Sequence, residues 1–97
     1  MNKAQLIDAV ATRTGLAKSD ASAAVESVLT NITETLQRGG TVSLVGFGAF
    51  SVSQRSARMG RNPNSGDLIS IPASRRPKFK AGKQLKDAVN SLAFPGA

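Results

Sequence analysis

The sequence predicts a single α+β domain spanning 1–97: two N-terminal helices, a three-stranded antiparallel sheet drawn out into a β-hairpin arm at about 53–76, and a short C-terminal helix. Apolar residues recur at three- and four-residue steps as far as Leu36, then at two-residue steps after the Gly39-Gly40 pair. Charge divides the chain at nearly the same place. From Met1 to Gln54, Lys3, Arg13, Lys18 and Arg38 are balanced by Asp8, Asp20, Glu26 and Glu34. From Arg55 to Lys86 nine cations (Arg55, Arg58, Arg61, Arg75, Arg76, Lys78, Lys80, Lys83, Lys86) face one anion, Asp67, and the whole chain carries +7. A neutral body joined to a basic arm is the layout of a polyanion-binding surface.

Each element has a local cause. Asn2 and Gln5 form a capping-box pattern that opens a first helix, with Leu6, Ile7 and Val10 on one face and Gly15 at its end. A longer helix follows from about Lys18, its stripe made by Ala21, Ala24, Val25, Val28, Leu29, Ile32 and Leu36, and Gly39-Gly40 stops it. The helix–turn–helix outline is read as two core helices, because neither is basic enough to read a groove. Val42 and Leu44, then Phe50 and Val52, alternate with small polar residues as strands do. Gly46-Phe47-Gly48 marks the tight connection between them. It is no dinucleotide loop, since no helix follows and no third glycine falls in place.

Beyond Ser53 the alternating pattern continues with basic residues in place of apolar ones. Asn62-Pro63-Asn64-Ser65-Gly66 is dense in turn formers, and Leu68, Ile69 and Ile71 lead back. Pro72 confines that return strand to an edge or a bulge. With so little apolar alternation the ribbon must project from the body and order on binding. Arg75 to Phe79 forms a further strand. Gly82 precedes the last helix, whose apolar face is Leu85, Ala88, Val89 and Leu92. Lys83 and Lys86 near its start are placed against the helix dipole, which points to a ligand role. The tail, 91–97, is expected to fray.

Composition narrows the chemistry. The chain has no Cys and no His, so disulfides, the usual zinc ligands and the usual general bases are all missing. No cofactor, metal site or enzymatic activity is expected. A chain this short needs help to be stable, and oligomerisation is the route left open. No signal peptide pattern opens it, and no run approaches the ~20 apolar residues of a membrane span. A soluble, intracellular protein is expected.

Arginine and lysine neutralise phosphates and release counterions, which yields affinity without sequence preference. By strand parity Arg55 and Arg61 share one face of the arm while Arg58 points the other way, unless a twist or bulge intervenes. Pro63, a rigid apolar ring at the tip, suits either ordinary turn chemistry or a wedge between base pairs, and the arginines around it favour the wedge.

Gly46-Phe47-Gly48-Ala49-Phe50, then Arg55, Arg58, Gly60-Arg61-Asn62-Pro63 and Gly66, resemble the signature of the bacterial histone-like HU/IHF family. Met1-Asn2-Lys3-x-x-Leu6-Ile7 and Phe79-x-x-Gly82-x-x-Leu85-Lys86 match as well. The similarity covers about residues 1–90 without a gap and is closer to HU than to the site-selective IHF subunits. It implies an intertwined homodimer or heterodimer whose two arms reach around double-stranded DNA in the minor groove. Phe47, Phe50 and Phe79 would fill the dimer core. Arg55, Arg58 and Arg61 would line the arm, with Asn62 at its tip, and Pro63 would intercalate to bend the duplex. Lys3, Lys80, Lys83 and Lys86 would hold flanking phosphates, and Arg75 joins this DNA-binding set. The implied function is DNA bending and condensation with low sequence specificity in the cytoplasm, on the nucleoid. An IHF-like site-selective bender is the alternative.

The chain departs from that pattern in places. Ala17 and Ala81 stand where the family often has a capping Ser for the second and third helices. Ser53 and Ser70 replace basic residues common on the arm, and Asp67 adds a negative charge. RNA is a further polyanion compatible with the charge, although no Tyr, no Trp and no arm aromatic offers a stacking platform.

Overall fold

The computed structural model describes residues 1–91. Helix α1 (Lys3–Thr14) is opened by Asn2, whose side chain accepts the Gln5 N–H at 2.9 Å while Gln5 Oε1 accepts the Asn2 N–H at the same distance. Two of the unpaired donors at this helix end are thereby satisfied. The helix closes at Gly15. Helix α2 (Lys18–Gln37) begins after Ala17, which has an extended backbone but no side chain able to cap. The two helices bury Ile7, Ala21 and Val25 between them, flanked by Val10 and Ala11. The small Ala21, fully buried, lets the helices approach closely.

Among the described residues five strands follow: β1 (Val42–Leu44), β2 (Gly48–Arg55), β3 (Arg58–Arg61), β4 (Leu68–Ile71) and β5 (Ser74–Ala81). β2 is central in an antiparallel sheet of order β1-β2-β5, and α2 packs on β1 and β2. β3 and β4 form a separate two-stranded ribbon. The ladders share one register: β2 and β5 end on Arg55↔Ser74, and β3 and β4 resume on Arg58↔Ile71, an equal step on each side. Pro72 therefore makes no bulge. Pairing lapses over Ser56-Ala57 opposite Pro72-Ala73 and resumes unshifted, so facing is preserved from the body into the arm. Pro77 is accommodated because β5 is an edge strand.

The arm projects. The radius of gyration is 19.5 Å and the longest extent 59 Å, against a radius of about 12–13 Å for a compact chain of this length.

Helix α3 (Lys83–Val89) corrects two expectations. Its N-cap is Gly82, and Ala81 is the last residue of β5, so a serine at Ala81 would not stand at the cap position. The helix has seven residues, so Lys86 already lies in its last turn, where a cation is favourable. Lys83 does stand at the start, and its Nζ lies 2.8 Å from the Asp87 carboxylate. The helix dipole thus gives no argument for a ligand at Lys86, while Lys83 stands at the unfavourable end as expected and is held there by Asp87. Leu92 and the rest of the tail lie outside the described residues.

Candidate nucleic-acid interface

The interface is assembled around the β1–β2 turn. The Phe47 N–H donates to the Leu44 carbonyl at 2.9 Å, and the turn's own carbonyls receive the next segment: Phe47 accepts from the Gly82 N–H at 2.8 Å, Gly46 from the Leu85 N–H at 3.2 Å. The start of α3 is thus pinned to the turn by backbone alone. Gly48 is buried against the same place, where an added Cβ would fall 2.6 Å from the Phe79 ring and 2.7 Å from the Lys80 carbonyl. Only a residue without a side chain fits.

Phe47, Phe50 and Phe79 come together within the chain. The Phe79 ring lies 4.8 Å from Phe50 and 5.6 Å from Phe47, tilted against both, within the range of favourable aromatic pairs. Yet Phe47 and Phe79 stay 47% and 44% exposed, and Leu44, Val45, Val28 and Leu29 are exposed too. A single chain leaves this apolar surface uncovered.

Register divides the sheet into two faces. Phe50↔Phe79 and Val52↔Pro77 point toward α2, where Thr33, Leu36 and Gln37 border a shallow groove with Val52 and Pro77. The opposite face carries Ala49↔Lys80, Ser51↔Lys78 and Ser53↔Arg76, then Arg55↔Ser74. The shared register brings Arg61 onto this face and Arg58, paired with Ile71, onto the other. Parity read from the sequence holds because no bulge resets it.

At the tip the Asn62 N–H donates to the Asp67 carbonyl at 2.8 Å and the Gly66 N–H to the Asn62 carbonyl at 2.7 Å. Asn62 Oδ1 accepts the Asn64 N–H at 2.8 Å, and the Arg61 guanidinium donates to the Gly66 carbonyl at 2.9 Å. Gly66, with φ +77°, supplies the left-handed residue this closure needs. Asn62 thereby builds the loop, and Pro63 is held exposed at its apex.

The remaining candidates differ in freedom. Lys80, Lys83 and Lys86 border one open recess beside the β1–β2 turn. Lys3 is ion-paired with Glu26 of α2, and Lys83 with Asp87. Arg75 donates twice to the Gln37 carbonyl. Arg76 and Lys78, absent from the sequence-derived set, share a face with Lys80. The signal was the two-residue step 76, 78, 80, which on a strand means one face.

The family model described as bacterial DNA-binding protein matches residues 1–90. The chain is 60% identical over 90 residues to DNA-binding protein HU-1 of Halalkalibacterium halodurans, covering 93% of this chain and 100% of that one. It is 56% identical over 89 residues to DNA-binding protein HU of Geobacillus stearothermophilus, covering 92% and 99%. Among solved structures, the Anabaena HU–DNA cocrystal structure superposes with a TM-score of 0.81 at 43% identity, over 93% of this chain and 98% of that one. HU from Thermotoga maritima gives 0.66 at 36% identity, over 93% and 100%. A chain with this arm, this tip and relatives matched almost end to end belongs to the bacterial DNA-binding protein family.

Proposed function

We propose that this chain is an architectural DNA-binding protein of the HU type, which holds duplex DNA through its phosphates and bends it. The observation that carries the reading is one uninterrupted register joining the cationic face of the body to an arm tipped by exposed Pro63. Phosphate contacts carry no base information, so sequence preference is expected to be low. Arg55, Arg58 and Arg61 line the arm, with Asn62 shaping its tip. Lys3, Lys80, Lys83 and Lys86 hold flanking phosphates, Lys3 and Lys83 by exchanging carboxylate partners for DNA. Arg75, already engaged with α2, contributes by fixing the arm's base. Pro63 inserts at a base step and bends the duplex, the use that minor-groove proteins make of apolar wedges.

The working unit is a dimer. The three buried apolar side chains among the described residues are too small a core for a chain of this length, and the exposed Phe47, Phe79, Leu44 and Val28 need a second copy or a paralogous subunit to cover them. Among the described residues no helix is long and apolar enough to cross a membrane. The place proposed for the protein is the cytoplasm, on the nucleoid, where bending by many copies compacts DNA.

Random-sequence duplex labelled at both ends tests the reading, titrated across a salt series with the end-to-end distance read by energy transfer. Binding whose log–log salt slope is several units, at about −0.9 per phosphate, together with a shortened distance, is the expected result. Salt-insensitive binding or an unchanged distance would overturn it. Sedimentation at micromolar concentration should return a dimer mass, and a monomer would remove the assembly proposed here.

A further inference from the structure

Three cations follow one another on the exposed face of β5: Arg76, Lys78 and Lys80. Residues two apart on a strand stand about 7 Å from each other, inside the ~8 Å Debye length of physiological salt. Their repulsion is therefore only partly screened. Nothing in the fold offsets it: among the described residues, none of the three side chains makes a hydrogen bond or an ion pair. Lys3, Lys18 and Lys83, by contrast, each have a carboxylate.

What lies opposite matters as much. The cross-strand partners of Lys80, Lys78 and Arg76 are Ala49, Ser51 and Ser53. These short side chains leave the surface over β2 low, with a row of long cations along one side. From Ser53 the same face continues two residues along β2 to Arg55, then across the lapse in pairing to Arg61. A polyanion laid over β2 would meet these charges in sequence from body to arm.

Resting on the DNA-binding reading above, we propose that Arg76 and Lys78, with Lys80, form a phosphate-binding ladder seating one backbone strand of duplex DNA. Arg76 supplies from β5 the cation that Ser53 does not supply from β2. Ser53 carries no charge, and Arg76 is its direct cross-strand partner. The charge is displaced sideways by one strand spacing, about 5 Å, onto the same face. The ladder is the chain's own arrangement for gripping DNA at the root of the arm.

The test compares salt slopes on random-sequence duplex for the full chain and its variants. Arg76→Thr with Lys78→Thr keeps strand-compatible side chains at exposed positions and is expected to lower the slope by about 3.6 for the dimer, two phosphates in each subunit at roughly 0.9 each. Arg13→Gln, a cation on α1 outside the ladder, should leave the slope as it is. Moving the charge back across the pair, Arg76→Ser with Ser53→Arg, should restore the slope that Arg76→Ser alone lowers. This swap also shows that a lost slope is not a lost fold. A steep wild-type slope left unchanged in the double threonine variant would overturn the ladder and leave DNA binding standing. Failure of the swap to restore the slope would overturn the exchange between Ser53 and Arg76. A wild-type chain without salt-dependent DNA binding would remove the parent reading and the ladder with it.

Discussion

The Arg75 guanidinium donates two hydrogen bonds, each 3.2 Å, to the carbonyl of Gln37, across 38 residues of sequence. Gln37 is the last residue of α2, so its carbonyl is among those left without a partner inside the helix. Arg75 pairs with Gln54 just below the point where the ladder lapses. One cation therefore satisfies a helix end, complements its dipole and ties the arm's base to the body. The bond is exposed to solvent, which limits its worth. Arg75→Ala is expected to destabilise by about 0.5–1 kcal/mol, with Arg75→Lys recovering part of it. Urea unfolding at fixed protein concentration measures both. A salt slope that stays at the wild-type value would confirm that Arg75 positions the arm rather than binding phosphate.

Ala17 leaves the first turn of α2 without a side-chain cap although its backbone, at φ −61° and ψ 151°, is already extended as a cap residue requires. Ala17→Ser should stabilise by about 1 kcal/mol, which for a domain of this size raises the melting temperature by about 4–8 °C. The comparison must be made at one protein concentration, since melting of an oligomer depends on it. The same change at Ala81 should bring no such gain, because the cap of α3 is Gly82.

Pro63 is exposed, and the hydrogen bonds that shape the tip run through Asn62, Asn64, Gly66 and Asp67 instead. Pro63→Ala should thus change stability by less than about 0.5 kcal/mol, as surface substitutions do. It removes no cation, so the salt slope should stay at the wild-type value. What should fall is bending, read as a smaller shortening of end-labelled duplex. Full bending by this variant would show that the tip does not act as a wedge.

Gly48 has the opposite profile. A methyl group there meets the Phe79 ring and the Lys80 carbonyl closer than any real contact. The ring can turn, but the carbonyl belongs to the ladder of β5. Gly48→Ala is expected to cost about 1–3 kcal/mol and to weaken the dimer, because Phe79 is the ring shared by both aromatic pairs. Thermal melting and sedimentation of the variant check the two effects separately. Binding loss should follow from dissociation alone and be recovered at high protein concentration.

The sequence by itself determined what depends on neighbours in the chain. The Asn2–Gln5 box, the stripe from Ala21 to Leu36, the change of period after Gly40 and the turn chemistry of Asn62 to Gly66 are local patterns, and the structure carries them out in place. The partition of charge was equally plain, because composition needs no coordinates. Only the tertiary structure decided which cations are free and which face they share. Lys3 finds Glu26 on another helix, and Arg75 finds a carbonyl at the far end of α2. Pro72 left it open whether the arm's parity would survive, and one unbroken register settled that Arg76, Lys78, Lys80, Arg55 and Arg61 stand together. Pairing across the sheet joins residues far apart in sequence, so a one-residue slip anywhere along it would have reversed every face.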